Sequence, residues 1–284
     1  MATIGLLHPG DMGAAVGGCL VSVGHEVLWD PAGRSRASTG RALAAGLTGV
    51  TFDALIKRPE VILSICPPHA ALDVAGQVAG GGYAGIYVDA NAISVATAER
   101  VSGIVTAAGA TYVDGGIIGL PPETAGHTRL YLAGPRANEV RGLFGRSALD
   151  ARIAEGPLYA ASAVKMAYAA WTKGSSALLL AARALARAEG VERTLLAEWA
   201  LSQPALAARS EGAATSAAAK GWRWVAEMEE IAASMTAAGL PAGFHEAAAD
   251  VYDRASQADT PATRRPAPPH EPASTLDTVI SALM

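Results

Sequence analysis

The sequence predicts an α/β domain built on a doubly wound, mostly parallel sheet, followed by an all-α domain. Three observations predict it: short β-rich runs alternate with helix-forming stretches over residues 1–156, the alternation then stops, and almost no strand signal follows over 157–284. Strands separated by helices are joined by crossovers, which lay them side by side and parallel. At 284 residues the chain is long enough to bury two cores of moderate size.

The strand runs, in order, are "ATIGLL", "HEVLWD", "GVTF", "EVILSIC", "GIYVDA", "TYVDGG" and "RLYLAG". Each is short and rich in β-branched, aromatic or other apolar residues, as strands covered on both faces require. The second half opens with "LYAASAVKMAYAAWTKGSSALLLAARALARAEG", and helical stretches continue to about Ser256, broken at "LSQPAL" and "GLPAG". Residues 257–273, "QADTPATRRPAPPHEPA", are too rich in proline for a helix and predict an extended or mobile connector. The last apolar stretch, "TLDTVISALM", is expected to dock back on this chain or on a partner.

Composition narrows the function classes. A formal charge of -4 with no basic face excludes nucleic acid as the expected partner, because a phosphate backbone rewards clustered cations. Aromatics make up only 5% of the chain, so the abundant alanines must pack helices closely through small side chains. Cys19 and Cys66 stand alone without a C-x-x-C pair, as in a reducing compartment, and the first apolar run starts too near Met1 for a signal peptide; a cytoplasmic location is expected. The longest apolar run, "SSALLLAARALA", meets Arg183 and Arg187 well short of the roughly 18 residues a spanning helix needs, so no membrane segment is expected. The histidines show no ligand spacing, and no metal is expected.

The stretch "IGLLHPGDMG" runs a strand into His8, Pro9, Gly10, Asp11, Met12 and Gly13. Gly10 and Gly13 keep the spacing of the second and third glycines of a Rossmann-type dinucleotide turn, while His8 stands where the first would be. Taken alone the loop reads either as a cofactor turn or as a plain strand-to-helix turn. The second strand ends in "LWDPAGRSR", where such folds meet the adenosine ribose. Asp30 there suits a free 2'-hydroxyl and hence NAD; Arg34, Ser35 and Arg36 suit a 2'-phosphate and hence NADP. Two arginines so close together in an acidic protein favour NADP, with NAD as second choice, over ordinary solvated charges.

The order "GLLHPGDMG", "GRS", "SICPPHAA", "YVDANAIS", "VDGGIIGLPP", "ASAVKMAYAAWTKG" resembles the β-hydroxyacid dehydrogenase and 6-phosphogluconate dehydrogenase superfamily, most of all its 6-phosphogluconate dehydrogenase NAD(P)-binding-like branch with a poorly characterised helical C-terminal domain. In that branch "HPG" is the expected form of the loop, so the resemblance implies a cofactor site in 1–156 and a substrate and dimerisation domain in 157–284. It also implies that Cys66, Pro67 and Pro68 line the nicotinamide ribose side, and that Asn91, with Ser94 second, sits beside nicotinamide and substrate. On the residues alone, Pro67-Pro68 is a rigid strand stop and Asn91 a helix cap. Asp114 and Gly119 match a segment that binds substrate carboxylate in relatives, but Ile118 replaces its serine and Leu120 its last glycine. That leaves the substrate's charge to the amides of Gly115, Gly116 and Gly119 or to another side chain.

In "SAVKMAYAAWTK", helical spacing aligns Ser162, Lys165, Tyr168 and Thr172 as a thin polar stripe on an otherwise apolar helix, expected to be buried on most sides. One amine among hydroxyls points to a cleft, against the plainer reading of a snorkelling surface lysine. In relatives the lysine at this place is the general acid/base, which implies that role for Lys165, with Ser162 beside the substrate. Ala169 occupies the place of the relatives' asparagine, and Tyr168 is the candidate replacement. Trp222, Trp224, Phe244 and His245 read as core, interface or pocket wall, with Lys173 a lesser candidate. The expectation is an NADP(H)-dependent oxidoreductase acting on an alcohol or carbonyl carbon of a small hydroxyacid-like or sugar-acid-like metabolite, as a homodimer through the helical domain. The alternatives are an imine reductase and a non-catalytic dinucleotide sensor.

Overall fold

A computed structural model describes residues 1–258 and 274–284, and its contacts divide the chain into two compact units, Met1–Met166 and Ala167–Met284. The first unit is a doubly wound sheet. Its strands are β1 (Thr3–Leu7), β2 (Glu26–Trp29), β3 (Thr48–Gly49), β4 (Val61–Ser64), β5 (Ile86–Asp89), β6 (Thr111–Ile118), β7 (Thr128–Ala133) and β8 (Leu149–Ile153), in the spatial order β3-β2-β1-β4-β5-β6-β7-β8. All neighbours pair parallel except β6 and β7, so the sheet is mostly parallel as expected. After β3 the chain crosses back to the other side of β1, and the connections leaving β1 and β4 diverge there. That reversal opens a crevice at the carboxyl ends of the strands.

The helices of this unit are α1 (Asp11–Ser22), α2 (Arg36–Ala44), α3 (Phe52–Lys57), α4 (Ala71–Gly80), α5 (Val95–Ala107) and α6 (Ala137–Leu143). They cover both faces and leave two cores. One joins Leu6, Val16, Leu20, Val88 and Phe144; the other joins Leu28, Ile62, Val74, Tyr87 and Val101. The four residues of β4 are all buried, which explains why that run is almost continuously apolar.

Two strand expectations need correction. "GVTF" is a strand only at its first residue, because the Thr51 hydroxyl accepts the Ala54 N–H at 3.3 Å and caps α3. The run "LDARI" forms β8, an edge strand whose Asp, Ala and Arg carry little strand propensity and which forms only because β7 offers a free edge.

The second unit is helical: it takes α7 (Ala160–Ala188) from Ala167 onward, then α8 (Glu192–Ser202), α9 (Leu206–Ala237), α10 (Gly243–Gln257) and α11 (Thr275–Leu283). The division falls inside α7, beyond the expected 156/157 boundary, because the first turns of that helix pack with the sheet. Tyr252 donates to the Lys173 carbonyl at 2.6 Å, and Lys173 pairs with the buried Glu227 beneath the Trp224 ring, tying α7, α9 and α10 together. In α11, Leu276, Val279 and Ile280 are buried, and the helix packs on α9 and α10 of its own chain. From residue 259 the proline-rich segment lies outside the described residues. The expectation that α7 is buried on most sides does not hold: Val164, Tyr168, Trp171, Leu178 and Leu185 are all exposed. Among the described residues no helix is long and apolar enough to cross a membrane.

Candidate active site

The loop after β1 turns tightly into α1. His8, at φ 66°, is the non-glycine residue with a left-handed backbone among the described residues, so it adopts the conformation that favours glycine at this place. The Gly10 N–H donates to the His8 carbonyl at 2.8 Å, and the Gly10 carbonyl accepts the first helical bond of α1 from Ala14 at 2.9 Å. A Cβ on Gly13 would stand 2.4 Å from the His8 carbonyl oxygen, so only glycine lets helix and loop approach this closely. A Cβ on Gly10 would meet nothing within 4 Å. The backbone at the start of α1 therefore has free space beside Gly10, as a pyrophosphate at a helix N-terminus requires. Pro9 is buried, Met12 packs on the core, and Asp11 pairs with Arg41 at 3.3 Å.

Beside this turn lies a cavity of about 210 Å³ whose walls include His8, Asp30, Arg34, Phe52, Val74 and Gln77. Burial, and then the positive charge of Arg34, pushes the His8 imidazole down to about 4, so it is neutral at physiological pH. Its Nδ1 atom is buried without a hydrogen-bond partner among the described residues. An orphaned polar atom, an arginine and an acid on one small cavity fit the adenosine end of a dinucleotide. Asp30 also accepts the Ala32 N–H at 2.9 Å, and Ser35 caps α2 by accepting the Ser38 N–H at 3.2 Å. Arg36 is exposed at the start of α2, and of the expected Arg34, Ser35 and Arg36 the cavity is lined by Arg34.

Ser64 and Asp89 end β4 and β5, and Asp114, midway along β6, stands in register with them, all buried. Asn91 was expected beside the substrate, but its side chain ties two strand ends together. Its Oδ1 accepts the Cys66 N–H at 2.6 Å, its Nδ2 donates to Ser64 Oγ at 3.1 Å, and it is 2% exposed. Asn91 therefore positions the Cys66-Pro67-Pro68 segment. Ser94 caps α5 by accepting the Thr97 N–H at 3.2 Å. Burial pushes the Cys66 thiol up to about 12, so it is protonated and inert.

The expected substrate-carboxylate segment does structural work. Asp114 accepts the Ser162 N–H at 2.9 Å and the Ser162 hydroxyl at 2.5 Å, so both are satisfied by each other. Burial raises the Asp114 carboxyl against the opposing pull of those bonds. A Cβ on Gly115 would stand 2.8 Å from the Asp89 carbonyl oxygen, and one on Gly116 would stand 2.5 Å from that of Ala161 and 3.1 Å from Lys165 Cβ. Gly119 turns the chain at φ 127°. Asp114 and Gly116 seat α7 on β6, with Lys165 half-buried above Gly116.

The sheet unit thus brings together His8, Gly10, Gly13, Asp30 and Arg34 around one turn, and Cys66, Asn91, Asp114, Ser162 and Lys165 at the ends of β4 to β6. Tyr168 belongs to the helical unit and is 47% exposed. There Trp224 packs on Tyr252 and Lys173, His245 is buried against the Ala170 carbonyl, and Trp222 and Phe244 are exposed. Among the described residues no group of three or more His, Cys, Asp or Glu is placed to hold a metal. The buried row of Ser64 and Asp89 escaped sequence reading, since only the pairing register reveals it.

Residues 186–255 match the model of DUF1932, a domain of unknown function, and no curated protein matches. A solved conserved protein of unknown function, whose structure revealed similarity with 3-hydroxyacid dehydrogenases, is 25% identical, with a TM-score of 0.64 over 89% of this chain and 97% of that one. The chain has the fold of the β-hydroxyacid dehydrogenase superfamily. A Mycobacterium tuberculosis 3-hydroxyisobutyrate dehydrogenase, solved with L-serine, is 19% identical with a TM-score of 0.68 over 100% of this chain and 99% of that one. A reductive aminase from Aspergillus terreus, solved with NADPH and ethyl levulinate, is 19% identical with a TM-score of 0.56 over 100% and 98%. This β-hydroxyacid dehydrogenase fold therefore extends over sheet and helices alike.

Proposed function

We propose that this protein is an NADP(H)-dependent oxidoreductase that moves a hydride to or from an alcohol or carbonyl carbon of a small metabolite, with Lys165 exchanging the proton. One observation carries the reading: the open glycine turn after β1 and the lysine seated above Gly116 lie at the same carboxyl edge of one sheet. Gly10 and the N-terminal amides of α1 would hold the pyrophosphate, Arg34 and Asp30 the adenosine end, and Cys66 to Pro68 the wall beyond. The bound nicotinamide supplies the hydride acceptor or donor. Lys165 takes the hydroxyl proton during oxidation or returns it during reduction, and Asp114 and Ser162 fix the helix that carries it. Arg34 supports NADP over NAD because a guanidinium matches a phosphate.

The test is a fluorescence titration with NADPH and NADH, followed by turnover of hydroxyacids and carbonyl compounds. Lys165→Met is expected to lower turnover by about a hundredfold or more with dinucleotide affinity retained. Unchanged turnover would remove the mechanism. Reduction of C=N bonds is the second reading, favoured by the exposed Tyr168, a hydroxyl donor one helical turn beyond Lys165; a panel of cyclic imines separates it.

The helical unit further supports a homodimer. Tyr168, Trp171, Leu178 and Leu185 recur at the three- and seven-residue spacing of a helix–helix seam, and all are exposed. A second copy of α7 matches that spacing. A cytoplasmic setting agrees with the buried, unpaired Cys19 and Cys66.

A further inference from the structure

Even-numbered residues of β6 share one face of the sheet. Asp114 receives Ser162 on that face, Gly116 receives Ala161 and Lys165, and Ile118 continues it. On β7, which runs antiparallel, Tyr131 stands opposite Gly116 and Arg129 opposite Ile118. Residues directly opposite across a sheet point to the same side. Arg129 therefore rises from the face on which Lys165 is seated. One strand across and two residues along place its Cα about 8 Å from that of Gly116, within reach of an extended guanidinium stem.

The charge around Arg129 is unevenly taken up. Asp150 lies opposite it on β8, but that carboxylate is held by Arg152, with Nε at 2.8 Å and Nη2 at 2.5 Å. Tyr131 lies beside Arg152 in register and so shares that cluster. Among the described residues the Arg129 guanidinium makes one side-chain hydrogen bond, at the distance limit, to the Gly126 carbonyl at 3.5 Å, and the residue is half-buried. Its other direct neighbour on the face, Ile118, offers no polar atom.

We propose that Arg129 is a specificity-determining residue, whose guanidinium binds an oxyanion, carboxylate or phosphate, on the substrate that reacts at Lys165. The planar fork of N–H donors suits either group in a two-point contact. Gly116, having no side chain, lets the first turn of α7 and with it Lys165 sit directly on β6, one strand across and two residues along from Arg129. This rests on the proposed oxidoreductase reading and adds the part of the substrate that is recognised.

Three probes with the same hydroxyl and different ends test it: 3-hydroxypropanoate, 3-hydroxypropyl phosphate and methyl 3-hydroxypropanoate. The wild type is expected to prefer one of the two anions over the ester. Arg129→Met, which keeps the apolar stem, is expected to lose about a hundredfold in kcat/KM on that anion, mostly through KM, with the ester within twofold. Arg129→Lys is expected to recover part of the loss. Preference for the carboxylate or for the phosphate tells the two sources apart. A wild type that favours neither anion, or an Arg129→Met variant that loses acid and ester alike, overturns the assignment. Calorimetric titration of the same probes separates this from the wider reading. Should the protein bind no dinucleotide, the oxidoreductase reading falls, while anion binding to wild type and not to Arg129→Met still upholds Arg129. Absence of anion binding to the wild type overturns it.

Discussion

Gly116→Ala tests how Lys165 is placed. The added methyl would stand 2.5 Å from the Ala161 carbonyl oxygen, and ordinary contact begins at 3.4 Å, so α7 must lift from β6 by about 0.9 Å. Overpacking of that size costs about 1–3 kcal/mol, of which about 0.4–1 kcal/mol is returned by the stiffer unfolded chain. A net loss of about 1–2 kcal/mol lowers Tm by about 2–8 °C for a unit of this size. A catalytic group displaced by nearly an ångström loses about a hundredfold in turnover. NADPH affinity should hold, because β4 and β5 separate β6 from the turn that follows β1. Gly103→Ala on α5, where a Cβ meets nothing within 4 Å, is the control and should leave Tm equal or higher. Differential scanning calorimetry and steady-state turnover read both effects. Were Gly116→Ala to match the wild type in Tm and in turnover, the seating of α7 on β6 would be refuted.

Four further outcomes are expected. Arg34→Ala should weaken NADPH binding at least tenfold more than NADH binding in paired titrations, and equal losses would refute the phosphate role. His8 has a folded value of about 4 against 6.5 when unfolded, so between those values the unfolded chain binds more protons and stability falls as pH falls; His8→Gln should flatten that stretch of the urea-midpoint curve. Glu227→Gln leaves Lys173, only 21% exposed, without its carboxylate, and should lower stability by about 3 kcal/mol in denaturant titrations, with Lys173→Met added to it recovering most of the loss. Trp171→Glu with Leu178→Glu should convert a dimer to a monomer in sedimentation velocity, and a monomeric wild type would refute the seam.

Much of the candidate site was legible in short stretches. The Gly10 and Gly13 spacing marked the turn, and the substitution at the first glycine proved compatible with it because His8 itself takes the left-handed backbone. Lys165 was marked as one amine on an alanine-rich helix. Partners that lie far along the chain were not legible. Asn91 looked like a ligand-facing amide, yet its oxygen meets Cys66 and its nitrogen Ser64, across a strand boundary. That a Cβ on Gly115 would meet the Asp89 carbonyl, and one on Gly116 the first turn of α7, was likewise hidden in the sequence.

The sequence by itself determined the alternation of strands and helices, the helical second half and the position of the glycine turn after β1. Those are local properties, written in hydrophobic period and in glycine and proline placement. Only the tertiary structure decided that Asp114 would hold Ser162, that Ser64, Asp89 and Asp114 would form one buried row, and that Arg129 would share a face with Lys165. Each depends on strand order and register, and a shift of one residue in pairing would turn every such side chain to the opposite face.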